Sequence, residues 1–183
     1  MDELIDIVTK TGLLTGKSAL KSEIHAKGHY HNTAHIWLYT KKGEVLLAQR
    51  AASKIICPLL WDVSVAGHVD AGETITQAAI REVKEEIGLS ILEKDLEKIG
   101  VFDCFQNYTN GIIDNEFHHT FITELQVDFS TLVYQNEEVE ALKLVTISKF
   151  KTLLNNSENN HHFIASNYNY YMKVLDAIIL KIH

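Results

Sequence analysis

Proline and cysteine are scarce in this sequence. Among 183 residues there is one proline, Pro58, and there are two cysteines, Cys57 and Cys104. Two cysteines so far apart are too few for a disulfide framework or a zinc cluster. We therefore expect plain thiols and a fold that depends on its hydrophobic core. A chain of this length with 46% hydrophobic residues is long enough for one well-buried core and short for two, which predicts a single domain over residues 1–183.

Long apolar runs and an excess of positive charge are also missing. No apolar run approaches the ~18 residues of a membrane span, and residues 1–6 are acidic, unlike a signal peptide. The formal net charge of −7 disfavours non-specific nucleic-acid binding, which depends on basic patches. We therefore expect a cytoplasmic protein without a membrane or nucleic-acid partner. An anionic substrate would need local cations, such as metal ions, to enter its site.

The most informative stretch is residues 67–89. Thr74 and Gln77 fit a capping box and Gly88 can supply the left-handed residue after a helix, so a helix is predicted over 75–87. At about 100° per residue, one arc of this helix is apolar and another carries carboxylates. The apolar arc contains Ile75, Ala79, Val83 and Ile87, and the acidic arc contains Glu82, Glu85 and Glu86.

Three carboxylates on one helix face repel one another at a cost of a few tenths of a kcal/mol per pair. A divalent cation such as Mg²⁺, which binds carboxylates together with substrate phosphates, would offset this repulsion. Taken alone, the pattern also fits a solvated acidic face. Both interpretations stay open at this level.

The spacing around these residues resembles the Nudix box. Gly67 is followed after five residues by Glu73, and after seven more by Arg81-Glu82, with Glu85-Glu86 and Gly88-Leu89 in register. The resemblance implies a Nudix hydrolase that uses Mg²⁺ or Mn²⁺ to hydrolyse the diphosphate linkage of a small molecule. It implies metal ligands at Glu82, Glu85, Glu86 and the Gly67 carbonyl, and support from Arg81 and Glu73. The general base would be Glu82 or a loop residue, for which Glu137 and Glu138 are candidates unless they are merely solvated.

A second resemblance extends over roughly residues 25–125 and points to the branch that includes isopentenyl diphosphate isomerase. It rests on His25, His31, Trp37, Leu46-Leu47, Arg50, Lys54, Pro58, Trp61, Ser64, Gly67-His68 and Asp114-Asn115-Glu116. It implies a second metal site formed by His25, His31, His68, Asp114 and Glu116, and Arg50 and Lys54 are candidates for substrate binding. These histidines are also compatible with ordinary packing.

Two departures from the isomerase favour hydrolysis. The position of the catalytic cysteine is Ala66, which cannot carry a proton, and the box is intact where that of the isomerase is degraded. Isomerase-like activity and a non-catalytic Nudix-fold binding module are the alternatives. His29, His35, His118 and His119 are extra histidines. On a strand, His118 and His119 would point to opposite faces.

Alternating apolar and polar residues predict the remaining elements. Strands are expected at 29–40, 45–50, 61–65, 98–106, 112–126 and 141–147, with a helix from a Ser148 cap to Leu154 and another at 163–181. An N-terminal hairpin over about 3–16 could pair across a homodimer, and residues 17–28 have no clear pattern. The expected class is α/β, and the resemblance implies the Nudix fold, a mixed β-sheet sandwiched between helices in α/β/α layers.

Overall fold

A mixed β-sheet with helices on both faces forms the centre of the computed structural model, which describes residues 2–134 and 137–183. The strands are β1 Leu4–Val8, β2 Leu14–Leu20, β3 Tyr30–Thr40, β4 Glu44–Arg50, β5 Trp61–Asp62, β6 Val65–His68, β7 Glu97–Asn107, β8 Ile113–Glu124 and β9 Val139–Thr146. The helices are α1 Lys21–Lys27, α2 Ile75–Ile87, α3 Ile147–Asn155 and α4 Tyr168–Ile182. This arrangement confirms the predicted α/β class.

Strand β3 is the central strand and holds the candidate site together. It runs parallel to β8, with His31 opposite Glu116, and antiparallel to β6, with Thr33 opposite His68. The predicted β3–β4 hairpin pairs only at its turn, through Tyr39–Val45 and Thr40–Glu44. Beyond the turn the strands separate, because β4 pairs along its length with β9 while β6 takes its place beside β3.

The sheet separates two hydrophobic clusters. One packs against α2 and includes Ile36, Leu38 and Val83. The other packs against α3 and α4 and includes Trp37 and Tyr171. Consecutive residues of β3 therefore point to different clusters, as expected for a strand that is buried on both faces. At about 25 cal/mol per Å² of apolar surface, these clusters rather than crosslinks stabilise the fold.

The N-terminal hairpin is longer than the predicted 3–16. Strand β2 continues to Leu20, and α1 follows directly, so the unassigned segment 17–28 is the end of a strand and a helix. The hairpin contacts the loop before α2, since the Ala71 N–H donates to Leu4 O at 2.8 Å and the Gly72 N–H to Asp6 Oδ2 at 2.8 Å. The hairpin thus braces its own chain, and pairing across a homodimer stays a prediction.

Three further differences from prediction have a clear physical cause, whereas the remaining strand ends shift by one or two residues. The strand expected at 61–65 is split into β5 and β6, which pair with different neighbours, β4 and β3. Helix α4 begins at Tyr168 rather than residue 163, because His161 and Phe163 have positive φ angles that a helix cannot contain. Helix α3 begins after Thr146 rather than Ser148, since Thr146 Oγ1 accepts from the Lys149 N–H at 3.1 Å.

The identity of this cap can be tested by two matched substitutions. Thr146→Ala should lower the free energy of unfolding by about 1 kcal/mol, the usual loss when an N-cap hydroxyl is removed. Ser148→Ala should change it far less, because that residue lies inside the first turn. Urea unfolding of both variants measures the difference, and a larger loss for Ser148→Ala would contradict the cap.

Candidate functional site

Helix α2 begins and ends as its sequence predicts. Thr74 Oγ1 accepts from the Gln77 N–H at 3.2 Å, and Gln77 Oε1 accepts from the Thr74 N–H at 2.9 Å, which completes the capping box. Gly88 ends the helix with φ 69°, a conformation that glycine adopts without strain. The apolar arc lies against the sheet, and Glu82, Glu85 and Glu86 belong to the same helix.

Arg81 holds the acidic residues of this region in fixed positions. Its Nε and Nη2 donate to the two carboxylate oxygens of Glu73, at 3.1 and 2.9 Å. Its Nη1 donates to Glu82 Oε1 at 2.7 Å and to Glu85 Oε2 at 3.0 Å, and Nη2 also reaches His68 O at 2.9 Å. These five hydrogen bonds match the five N–H donors of a guanidinium. The structure thus brings together the residues that the resemblance placed at the box.

Gly67 lies directly against Glu82. A Cβ atom added to Gly67 would be 1.9 Å from the Glu82 carboxylate carbon, far closer than any non-bonded contact. The φ angle of Gly67 is not in the left-handed range, so the requirement for glycine here comes from the space that the carboxylate occupies. Glu82 and the Gly67 backbone therefore share one small volume.

The three glutamates of α2 differ in burial, since Glu86 is buried, Glu82 is largely covered and Glu85 is exposed. The Glu86 residue is 7% exposed and the Glu82 side chain 12% exposed, whereas the Glu85 side chain is 58% exposed. Burial raises the pKa of Glu82 to about 7 although Arg81 partly offsets it. Burial, together with repulsion from Glu82 and Glu138, raises the pKa of Glu86 well above its usual value. A cation among these oxygens would remove that repulsion, and an all-oxygen donor set suits Mg²⁺ or Mn²⁺.

The other candidate charged residues lie at the end of β4 and in the loops that adjoin β4 and β9. Lys54 forms an ion pair with Glu138, and the charges of both act on Glu86, which places them at the same end of the site. Arg50 ends β4, and its Nε donates to Ile56 O at 3.0 Å. Glu137 is exposed in the turn before β9. Of the two loop carboxylates, Glu138 is thus the one whose charge reaches Glu86.

A second group of polar side chains gathers at the carboxyl end of β6. His25 of α1, His31 of β3 and His68 of β6 approach so closely that one ligand atom from each lies within 4.8 Å of the others. The ring centroids are 5.2–5.4 Å apart. Two carboxylates of β8 complete the group: Asp114 Oδ1 is 2.7 Å from His25 Nδ1, and Glu116 Oε1 is 3.5 Å from His31 Nε2.

Several buried atoms of this group lack a hydrogen-bond partner among the described residues. They are His25 Nδ1, His31 Nε2, His68 Nε2 and Asp114 Oδ1; the close His25–Asp114 pair is too poorly aligned to form a hydrogen bond. Buried polar atoms without partners are costly, by about 1–3 kcal/mol each. Because these atoms converge, one divalent cation could satisfy them together, and the mixed imidazole and carboxylate donors fit a transition metal.

His118 and His119 point to opposite faces, as predicted. His118 Nε2 is 2.8 Å from Glu116 Oε2, whereas His119 contacts Lys98 and Asn32 at 3.0 Å each. Although burial opposes protonation, contacts with Cys104 and Glu116 raise the pKa of His118 to about 10. Glu116 lies two residues before His118 on the same face of β8, as strand alternation predicts. The sequence offered no signal for the other neighbours of His118, which are His35 and Tyr170, because they come from elements distant in the chain.

The close contact between Gly67 and Glu82 yields a direct prediction. Gly67→Ala should displace the Glu82 carboxylate and weaken Mn²⁺ binding by about 10- to 100-fold, the loss seen when a metal ligand loses its positioning. Gly100→Ala is the matched control, because its φ is also ordinary and the atoms nearest to its added Cβ belong to the Phe102 ring, at 3.1 Å. Electron paramagnetic resonance titration with Mn²⁺ measures both, and equal affinities for the two variants would contradict the prediction.

Comparison with known proteins places these residues in a family. The model of the NUDIX domain matches residues 29–166. The chain is 34% identical to Nudix hydrolase 3 of Arabidopsis thaliana over 86% of its own length, although it spans only 21% of that protein. It is also 34% identical to isopentenyl-diphosphate delta-isomerase 2 of Photorhabdus laumondii, covering 86% of this chain and 85% of the relative.

The fold agrees with this assignment. A crystal structure of a Deinococcus radiodurans protein superimposes with a TM-score of 0.66 at 18% identity, covering 86% of this chain and 91% of the other. In the described part of the chain, no helix is both long and apolar enough to cross a membrane. The family model spans the whole box and both candidate clusters except His25. The chain therefore belongs to the Nudix superfamily, in the branch that also contains isopentenyl diphosphate isomerases.

Proposed function

We propose that this chain is a diphosphohydrolase that depends on Mg²⁺ or Mn²⁺. Its substrate is a nucleoside diphosphate derivative or an isoprenoid or other organic diphosphate. The observation that carries the proposal is the set of Glu82 and Glu85 held by Arg81 beside Gly67. The proposal includes a single cytoplasmic domain over residues 1–183. It also includes the pairing of two copies in a homodimer through the N-terminal hairpin, and it needs no membrane or nucleic-acid partner.

The metal would be held by Glu82, Glu85, Glu86 and the carbonyl of Gly67. When bound, it supplies charge neutralisation for the phosphate oxygens and polarises the attacking water. The residues of the chain do the positioning. Arg81 fixes the rotamers of Glu82 and Glu85 through Nη1, and Glu73 fixes Arg81 through two hydrogen bonds. Ligands that are already held in one orientation lose less conformational freedom when a metal or substrate binds.

Hydrolysis requires a base and a place for the substrate phosphates. The water oxygen forms a bond to one phosphorus, the bridging P–O bond breaks, and the leaving phosphate keeps the electron pair. The water proton passes to a carboxylate, for which Glu82 and Glu138 are the candidates supported by position. Glu138 is paired with Lys54, so a phosphate that attracts Lys54 would free Glu138 to act as base. Arg50, at the end of β4, is the second candidate for phosphate binding.

We assign the second metal site to His25, His31, His68, Asp114 and Glu116. The buried atoms without hydrogen-bond partners support it, since a divalent cation would satisfy them at one point. His68 links the two sites, because its ring belongs to this group while its carbonyl accepts from Arg81. A metal bound there would supply positive charge beside the carboxylate site on α2.

Two alternatives are less well supported. Isomerase-like activity requires an acid/base group at position 66, where β6 carries an alanine opposite His35. Cys104 does lie opposite Glu116, but on β7 and at the other edge of β8. A non-catalytic binding module would have no need of glutamates that repel one another inside α2.

Substitution of Glu85 tests the proposal. Its side chain is 58% exposed, so Glu85→Gln removes a metal ligand with little change in stability. We expect release of phosphate or pyrophosphate in the presence of Mg²⁺ to fall about 100-fold or more, because a metal's charge stabilisation is worth several kcal/mol. The measurement uses a panel of nucleoside, sugar and isoprenoid diphosphates. The matched control is Glu158→Gln, an exposed glutamate near α3, which should retain full activity.

The outcomes separate the three functions. If the wild type hydrolyses a member of the panel and the Glu85→Gln variant does not, the result supports the diphosphohydrolase and identifies its substrate class. Isomerisation of isopentenyl diphosphate without hydrolysis would favour the isomerase. Binding of a panel member with neither reaction would favour the binding module.

A further inference from the structure

Glu116 uses its two carboxylate oxygens for different neighbours. Oε1 faces the histidines of the second metal site, 3.5 Å from His31 Nε2 and 4.0 Å from His68 Nε2. Oε2 is 2.8 Å from His118 Nε2, which lies outside that site. His118 is two residues along β8 and on the same face of the strand. It is therefore placed to fix how Glu116 points.

Two aromatic side chains pack against the ring of His118. It stacks on His35, with centroids 3.8 Å apart and planes 22° apart, and meets the ring of Tyr170 edge-on at 5.8 Å. His35 Nδ1 is 3.0 Å from Tyr170 Oη, and Trp37 Nε1 donates to the same oxygen at 2.9 Å. An indole can only donate, so the hydroxyl proton of Tyr170 is available for His35 Nδ1. A continuous set of contacts thus runs from α4 to Glu116.

This arrangement does not suit a third metal ion. One ligand atom each from His35, Glu116 and His118 lies within 4.8 Å of the others, but a metal must lie near the plane of each imidazole ring that binds it. Two nearly parallel rings 3.8 Å apart cannot both direct a lone pair to one point. His118 Nε2 is also already engaged by Glu116. The geometry fits a hydrogen-bond donor to a metal ligand.

We propose that His118 is a positioning residue for the second metal site: its Nε2–H donates to Glu116 Oε2 and leaves Oε1 directed at the histidines. The inference rests on the proposed function, because it requires that site to bind a metal. Histidine and carboxylate ligands are commonly oriented by such outer partners, whose loss lowers metal affinity about 10- to 100-fold. His35 and Tyr170 act one step further out by holding the His118 ring.

The test is a titration with Co²⁺ followed by its visible absorption, with Mg²⁺ in excess to fill the carboxylate site on α2. Imidazole ligands favour Co²⁺ over Mg²⁺. His118→Leu should bind Co²⁺ about 10- to 100-fold more weakly than the wild type. His118→Gln, whose amide can donate from the position of Nε2, should recover most of the affinity. His119→Leu and His119→Gln are the matched controls on the opposite face and should equal the wild type.

Loss of the Tyr170 hydroxyl tests the outer part of the network. Tyr170→Phe should weaken Co²⁺ binding by less than His118→Leu, and Tyr171→Phe should have no effect. Both tyrosines lie on α4, and the Tyr171 hydroxyl donates instead to Asp62 at 3.1 Å. Thermal unfolding without metal shows whether each variant is folded.

The results distinguish failure of this inference from failure of the proposed site. The second metal site exists if the wild type binds Co²⁺ and the double variant that carries both His25→Ala and His31→Ala does not. Unchanged affinity in folded His118→Leu would then overturn the role of His118. Equal weakening in His118→Leu and His118→Gln would also overturn it, since ring packing rather than the hydrogen bond would matter. If the wild type shows no histidine-dependent Co²⁺ binding, the second site and the role of His118 both fall.

Discussion

The guanidinium of Arg81 is the interaction on which the site depends. Its five N–H groups are all engaged, by three carboxylates and by the His68 carbonyl. Without that charge, Glu73, Glu82 and Glu85 would repel one another across a partly buried surface. With it, the three carboxylates are held in fixed positions by hydrogen bonds within the chain, so the cost of ordering them is met during folding. Lysine has the same charge but only three donors on one nitrogen and could not hold this set.

The second constraint is the short strand β6, which connects the two clusters. Gly67 approaches Glu82 on the α2 side, and the side chain of His68 joins His25 and His31. Adjacent residues of a strand point to opposite faces, so two consecutive residues serve two different sites. The backbone carbonyl of His68 also accepts a hydrogen bond from Arg81. A shift of β6 by one residue would therefore disrupt both clusters at once.

Much of the α2 region could be predicted from the sequence because its determinants are local. The Thr74 cap, Gly88 and the helical period between them fixed the helix to the residue. The prediction was weaker where the determinants are distant in sequence. The local pattern predicts the cap of α3 at Ser148, although Thr146 makes the bond, because either hydroxyl suits that pattern. The divergence of β3 from β4 depends on β6 and β9, which no hairpin signal reports.

In the His-rich cluster, the family resemblance predicts the candidate metal ligands but not the residues that support them. The resemblance named His25, His31, His68, Asp114 and Glu116, and the structure brings all five together. It gave no role to His118, His35 or Tyr170, because a hydrogen bond between His118 and Glu116 becomes meaningful only once β3, β8 and α4 are packed. A buried polar network is worth keeping only when its members are satisfied. Here each step has a partner, from Trp37 through Tyr170 and His35 to His118. Among the described residues, four of the five buried side-chain atoms without a hydrogen-bond partner belong to the cluster that faces the proposed metal, and the fifth is Thr33 Oγ1. That contrast separates the residues that would bind a metal from those that hold them in place.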